Sequence, residues 1–165
     1  MTSCGMADVA SWTRPATHDD LAVMLLGARE ANAESDWGLT WNQDYAEQYL
    51  TALIDSPHTD AILVEMDGAL GPIIAGASFV AASFEFHDEP LCYVCKFWIL
   101  PAYRRGDLSI KLTQSTIDWA NDHGCSHIFT TATAGLDRVQ QSLFVRLMKR
   151  HGFEDVGPVM QRTLV

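Results

Sequence analysis

Apolar positions recur along this chain with two periods, and the changes of period divide it into elements. Asp8–Arg14 reads as a short strand. "RPATHDD" then supplies a helix start, with Thr17 as N-cap and Asp20 three residues on, the spacing of a capping box. Leu21, Leu25 and Ala28 recur at i, i+4 and i+7 beside Met24, which predicts a helix to about Ala31. "ANAESDWGLTWN" is a polar, Trp-bearing loop. A second helix begins near Asn42 with Tyr45, Tyr49 and Leu53 on one face. It ends before Pro57, because the residue preceding a proline avoids the helical region.

From Thr59 the pattern turns to strands. "AILVEM" is a short β-type run and "DGALGP" a glycine-rich turn. "IIAGASFVAASFEFH" carries no charge until Glu85 and reads as a central strand. After "DEP", "LCYVCKFWIL" is aromatic and β-branched, again a strand. Hairpin-length connections make these three an antiparallel meander. A helix follows from about Leu108 to Asp122, with Leu112, Ser115 or Thr116, and Trp119 at helical spacing, closed by Gly124. Ser126–Thr133 reads as a strand. "LDRVQQSLFVRLMKRHG" is an amphipathic helix with Leu143, Leu147 and Arg150 along it, and "FEDVGPVMQRTLV" a terminal strand or hairpin. The order is β-α-α-β-β-β-α-β-α-β, an α/β (α+β) chain. No internal repeat, low-complexity stretch or linker interrupts it. Residues 1–165 therefore read as one domain, near the usual ~100–150 residues.

Charge is divided unevenly. Residues 30–95 hold twelve acids and no Lys or Arg, whereas residues 96–165 hold nine bases and six acids. The C-terminal part suits an anion. The middle suits a cation, or is simply a solvated face. Nucleic acid is excluded as a partner, since its phosphates would meet that acidic middle. No apolar run approaches the ~20 residues of a membrane span. "MTSCGMADVASW" lacks a basic segment leading an apolar one, so no secretory leader is expected. The four cysteines fit a reduced, cytoplasmic compartment at least as well as a disulfide framework. Cys92 and Cys95 form a lone C-x-x-C with no second pair at zinc spacing, so no metal is expected there.

"ILPAYRRGDLS" then places a proline, a tyrosine and two arginines between a strand and a helix. Ile99, Pro101, Tyr103 and Arg104 fall in the register of a strand–Val-x-Pro-x-Tyr-Arg–helix motif, and "MKRHGF" ends the later helix in Gly-Phe. In these motifs and in element order the chain resembles the GNAT superfamily of acyl-CoA-dependent N-acyltransferases. The resemblance implies a mixed, mostly antiparallel central sheet of six to seven strands flanked by about four helices. It implies acetyl-CoA as co-substrate and an amine acceptor, small molecule or protein. It also allows a homodimer. The donor's diphosphate would sit on Arg104, Arg105, Gly106, Asp107, Leu108 and Ser109. Its pantetheine arm would pair with Phe97, Trp98 and Ile99, with Gln141 at the position of the asparagine that often opens the later helix. The physical warrant is independent: unpaired N–H groups and roughly half a positive charge at a helix N-terminus suit a pyrophosphate.

The chain also departs from the family pattern. Asp107 and Ser109 stand where glycines or alanine are usual, with Asp107 expected as the helix N-cap and Gly106 able to take the tight turn. Cys95 and Lys96 lie where a strand glutamate often serves as base, and Met148 replaces the tyrosine that protonates the leaving thiolate. Glu85 and His87, two apart and so on one strand face, are the substitute base pair, unless "EFHDEP" is only a solvated turn. Ser142 is the substitute proton donor. Glu34, Asp36, Trp37 and Trp41 cluster where the family shapes its acceptor site and suit a cationic amine, unless the tryptophans only anchor the loop. The leading expectation is an N-acetyltransferase working by direct attack. The alternative is a GNAT-fold protein that has lost the chemistry and acts as a binding or inhibitory module.

Overall fold

The computed structural model describes residues 12–34, 40–57, 59–65, 73–83, 88–104, 107–131 and 138–157. The strands are β1 (Trp12–Pro15), β2 (Thr59–Glu65), β3 (Ile73–Ala82), β4 (Leu91–Ile99) and β5 (His127–Phe129). The helices are α1 (Leu21–Glu34), α2 (Gln43–Asp55), α3 (Leu108–Asp122) and α4 (Arg138–Arg150). One mixed sheet runs in the order β1-β2-β3-β4-β5. Its first three pairings are antiparallel and β4–β5 is parallel. The parallel partner is reached through α3, the kind of crossover such a pair needs.

Alternation along β3 and β4 sorts the sheet into two cores. Ala75, Ala77 and Phe79 of β3 join Leu108, Leu112, Trp119 and Ala120 of α3 in one buried cluster, with Phe97 and Ile99 packed on it. Phe79 stacks on Trp119 at 5.0 Å, and Phe97 meets Phe144 of α4 edge-on at 5.7 Å. Met24 and Ala28 of α1 pack with Leu50 and Leu53 of α2 in the other cluster, with Trp98 against it. Residue 27 is glycine because an added Cβ would lie 3.1 Å from the Trp98 ring. Buried Thr113 and Thr116 donate their hydroxyls to the carbonyls of Ser109 and Leu112, so neither is orphaned.

Several expectations shift. Asp20 does cap the first helical segment, its carboxylate accepting from the Thr17 N–H and hydroxyl. Helix α1 runs on to Glu34, past Ala31, and Asn42 caps α2 by accepting from the Tyr45 N–H. Tyr45 and Tyr49 are exposed; the buried face of α2 is Leu50 and Leu53, which α1 covers. In α4 likewise Leu143 faces out and Met148 is buried. Strand β5 stops at Phe129, short of Thr133. The described residues hold five strands in place of six or seven. Residues 153–157 of the expected terminal strand are not extended into the sheet, and 158–165 lie outside the described residues.

Candidate functional site

The pairing register opens a wedge beside β4. Strand β3 pairs with β4 from Leu91 to Ile99, and the Leu100 N–H continues the ladder to the Ile74 carbonyl at 2.9 Å. On the other side β5 pairs only with Leu91, Cys92 and Tyr93. From Val94 to Ile99 no strand among the described residues covers that edge. An edge of unpaired N–H and C=O groups can accept an extended, amide-bearing ligand as an added strand.

The register also slips near the top of this wedge. Ser78 faces Lys96 while Phe79 faces Val94, so Cys95 is the extra residue of a β-bulge. Cys95 neighbours Tyr49 of α2, and its thiol donates to the Tyr93 carbonyl at 3.7 Å. Burial raises the pKa of Tyr49, with the neighbouring Cys95 adding to it. Burial likewise raises the Cys95 thiol, with the neighbouring Tyr49 hydroxyl pulling it part of the way back. Lys96 lies on the same face as Trp98, toward α1 and α2, where burial lowers the pKa of its ammonium.

The lower end of the wedge leads into the arginine turn. Pro101–Tyr103 forms a short 3-10 turn closed by the Tyr103 N–H on the Leu100 carbonyl at 2.8 Å. Arg104 donates Nε–H to the Ile99 carbonyl at 2.9 Å and Nη2–H to both Glu34 oxygens at 2.9 and 2.8 Å. Asp107 occupies the N-cap position of α3 but makes no side-chain cap, correcting the expected role. Its backbone is helical there, so the carboxylate turns to Lys111 at 2.9 Å, and this bond lowers its pKa. The first-turn amides of α3 are thus left without a capping side chain among the described residues, a ready anion site.

Other expected site residues fall in different places. Phe97 and Trp98 point to opposite cores, leaving only their backbones to the wedge. Gln141 lines a cavity of about 810 Å³ between β5, α4 and the segment after it. Phe144 and Met148 line the same cavity, which adjoins the wedge through the Phe97–Phe144 contact. Ser142 is exposed on α4. Glu34 and Arg104, expected at the acceptor and donor sites, are joined to each other. Trp41 packs into the α1–α2 cluster, its buried indole N–H without an acceptor among the described residues. Asp36, Trp37, Glu85, His87, Arg105 and Gly106 lie outside the described residues. Cys92 is fully buried, and burial pushes its thiol up to about 12, the behaviour of core filler. Among the described residues no group of three His, Cys, Asp or Glu side chains is placed to hold a metal. No described helix is long and apolar enough to cross a membrane. The Tyr49–Cys95 contact was beyond sequence reasoning, because a bulge leaves no mark in composition or periodicity.

A mixed sheet whose central strand parts from its parallel neighbour, above an uncapped helix start, is the architecture of an acyltransferase fold. Residues 29–153 match the model of the acetyltransferase (GNAT) family, and the chain belongs to that family. Solved structures agree on the fold. The aminoglycoside N-acetyltransferase AAC(6')-Iy in complex with CoA is 14% identical, with TM-score 0.72 over 94% of this chain and 95% of that one. A predicted acetyltransferase with acetyl-CoA from Clostridium acetobutylicum is 14% identical, with TM-score 0.71 over 93% and 96%. An aminoglycoside acetyltransferase from an uncultured soil metagenomic sample, in complex with sisomicin, is 15% identical, with TM-score 0.68 over 94% and 97%. No curated protein sequence matches the chain.

Proposed function

We propose that this protein moves an acetyl group from acetyl-CoA to a primary amine by direct attack on the thioester. One observation carries the reading: the free edge of β4 from Val94 to Ile99 ends at the uncapped start of α3. The pantetheine amides would pair along Phe97, Trp98 and Ile99, and the diphosphate would lie over Asp107, Leu108 and Ser109 with Arg105 and Gly106 beside it. Since Arg104 is bonded to Glu34, the backbone N–H groups of α3 would carry the larger share of that charge. The thioester would then reach the narrow end of the wedge, near the Cys95 bulge.

The protein's own groups would act in simple ways. A backbone N–H of β4 stabilises the developing oxyanion. Holding a neutral amine against the thioester supplies much of the rate through proximity alone. Glu85 with His87 would accept the amine's proton, and Ser142, beside Gln141, would return one to the thiolate. Twelve acids without a Lys or Arg in residues 30–95 favour a cationic acceptor, as does the likeness to aminoglycoside acetyltransferases. The same charge pattern disfavours nucleic acid. The reading also includes a cytoplasmic setting, and strand pairing between copies as the route to a homodimer.

A second reading keeps the fold without the chemistry. Met148, buried where a tyrosine donor is usual, and Arg104, occupied by Glu34, favour it. Acetyl-CoA consumption over a panel of amines separates the two. The first reading expects turnover with a cationic amine and a rise in melting temperature with acetyl-CoA alone. Binding without turnover on any amine selects the second reading, and no binding removes the donor site altogether.

A further inference from the structure

Three lysines serve the whole chain, and the structure treats one of them differently. Lys111 is paired with Asp107 at 2.9 Å, and Lys149 is exposed and paired with Asp155 at 2.6 Å. Lys96 has no carboxylate partner among the described residues, in a chain with 21 acids. It sits half-buried on β4, directly after the Cys95 bulge and opposite Ser78. Its strand is the one whose outer edge is open from Val94.

We propose that Lys96 is a self-acetylation site, the acceptor being its own ε-amine and the donor the acetyl-CoA of the preceding reading, on which this inference rests. A ligand lying along the open edge of β4 would be about one strand spacing away, ~4.8 Å. A flexible four-carbon stem spans that distance. Burial beneath α1 and α2 favours the neutral amine, the nucleophilic form, whereas Lys111 and Lys149 are each engaged by a carboxylate. The Nζ lone pair attacks the thioester carbonyl carbon and the C–S bond breaks. The ammonium proton leaves with the thiolate. The products are Nε-acetyl-lysine and free CoA thiol, with nothing oxidised or reduced. The modification would replace the ε-amine by a bulkier amide that can no longer be protonated and would fill the approach to the wedge.

The test incubates the purified full chain with isotope-labelled acetyl-CoA and maps the acetyl group by peptide mass spectrometry, with a thermal shift read in parallel. The expected result is one acetyl increment, on Lys96, lost in Lys96→Arg and absent from chain held unfolded in urea. A thermal shift with no label on Lys96 overturns this inference and leaves the donor site standing. Equal labelling of all three lysines, in folded and unfolded chain alike, overturns it as chemical acetylation. Absence of both label and shift overturns the donor site and this inference with it.

Discussion

Arg104 and Glu34 stand 70 residues apart in sequence, yet one guanidinium nitrogen of Arg104 bridges both oxygens of Glu34 at 2.9 and 2.8 Å. The same side chain holds the Ile99 carbonyl through Nε. The end of α1, the end of β4 and the arginine turn are thereby tied at one point. The pair is over a third exposed, so its own worth is small, about 0.2–1 kcal/mol, and salt-screened. A double-mutant cycle of Arg104→Ala and Glu34→Ala by urea denaturation should return a coupling of that size. Glu34→Gln should leave the acetyl-CoA thermal shift intact or larger, because the guanidinium is released toward the turn. Arg104→Ala with Arg105→Ala should reduce it without abolishing it, because the backbone N–H groups of α3 remain.

Acid should weaken the fold through Asp20. Arg14 grips both its oxygens at 2.7 Å, and the Arg14 side chain is the main cause of a pKa lowered from 3.8 to about 2. A depressed carboxylate pKa stabilises the fold above the unfolded value, and that stability is lost as pH falls through the folded one. The window is therefore from about pH 4 down to about pH 2. Asp20→Asn should cost roughly 2 kcal/mol near neutral pH and flatten the pH dependence inside that window. Urea midpoints across the window check it.

Gly27 lets α1 lie on Trp98. A side chain there would press an aromatic ring that α1 and β4 hold from both sides, with contacts from 3.1 Å. Gly27→Val should destabilise by about 1–3 kcal/mol through overpacking, despite removing a helix glycine. Shifted tryptophan fluorescence should accompany the lower melting temperature.

Tyr49 should tune the Cys95 thiol. Its neighbouring hydroxyl lowers the Cys95 pKa against the larger, opposite effect of burial. Tyr49→Phe removes the donor, so the thiol pKa should rise further. Alkylation of Cys95 by iodoacetamide at a fixed, mildly alkaline pH should then be slower than in the parent chain. Faster alkylation would show that Tyr49 shields the thiol and does not stabilise its anion.

Much of the fold was legible because its causes are local. Thr17 with Asp20, Asn42 before α2, Pro57 after it and Gly124 after α3 are punctuation that acts within a few residues. Gly124 has φ +65, which only glycine adopts freely. Faces were harder. Tyr45 and Tyr49 keep helical spacing as well as Leu50 and Leu53 do, and only the position of α1 decided which pair was buried. Asp107 is a natural N-cap by type, but a helical backbone and a lysine one turn on took its carboxylate away.

The sequence by itself determined the order of elements, the strand–turn–helix carrying Pro101, Tyr103 and Arg104, and the acidic middle of the chain. Those follow from side-chain type and short-range spacing. Tertiary structure alone decided that β5 leaves β4 after Tyr93, that Cys95 bulges out of register, that Lys96 lacks a carboxylate partner among the described residues, and that Glu34 claims Arg104. Each is a choice between distant partners that chemistry alone leaves equally matched. Such choices are settled by which strands pair and where pairing stops, and no local pattern encodes that.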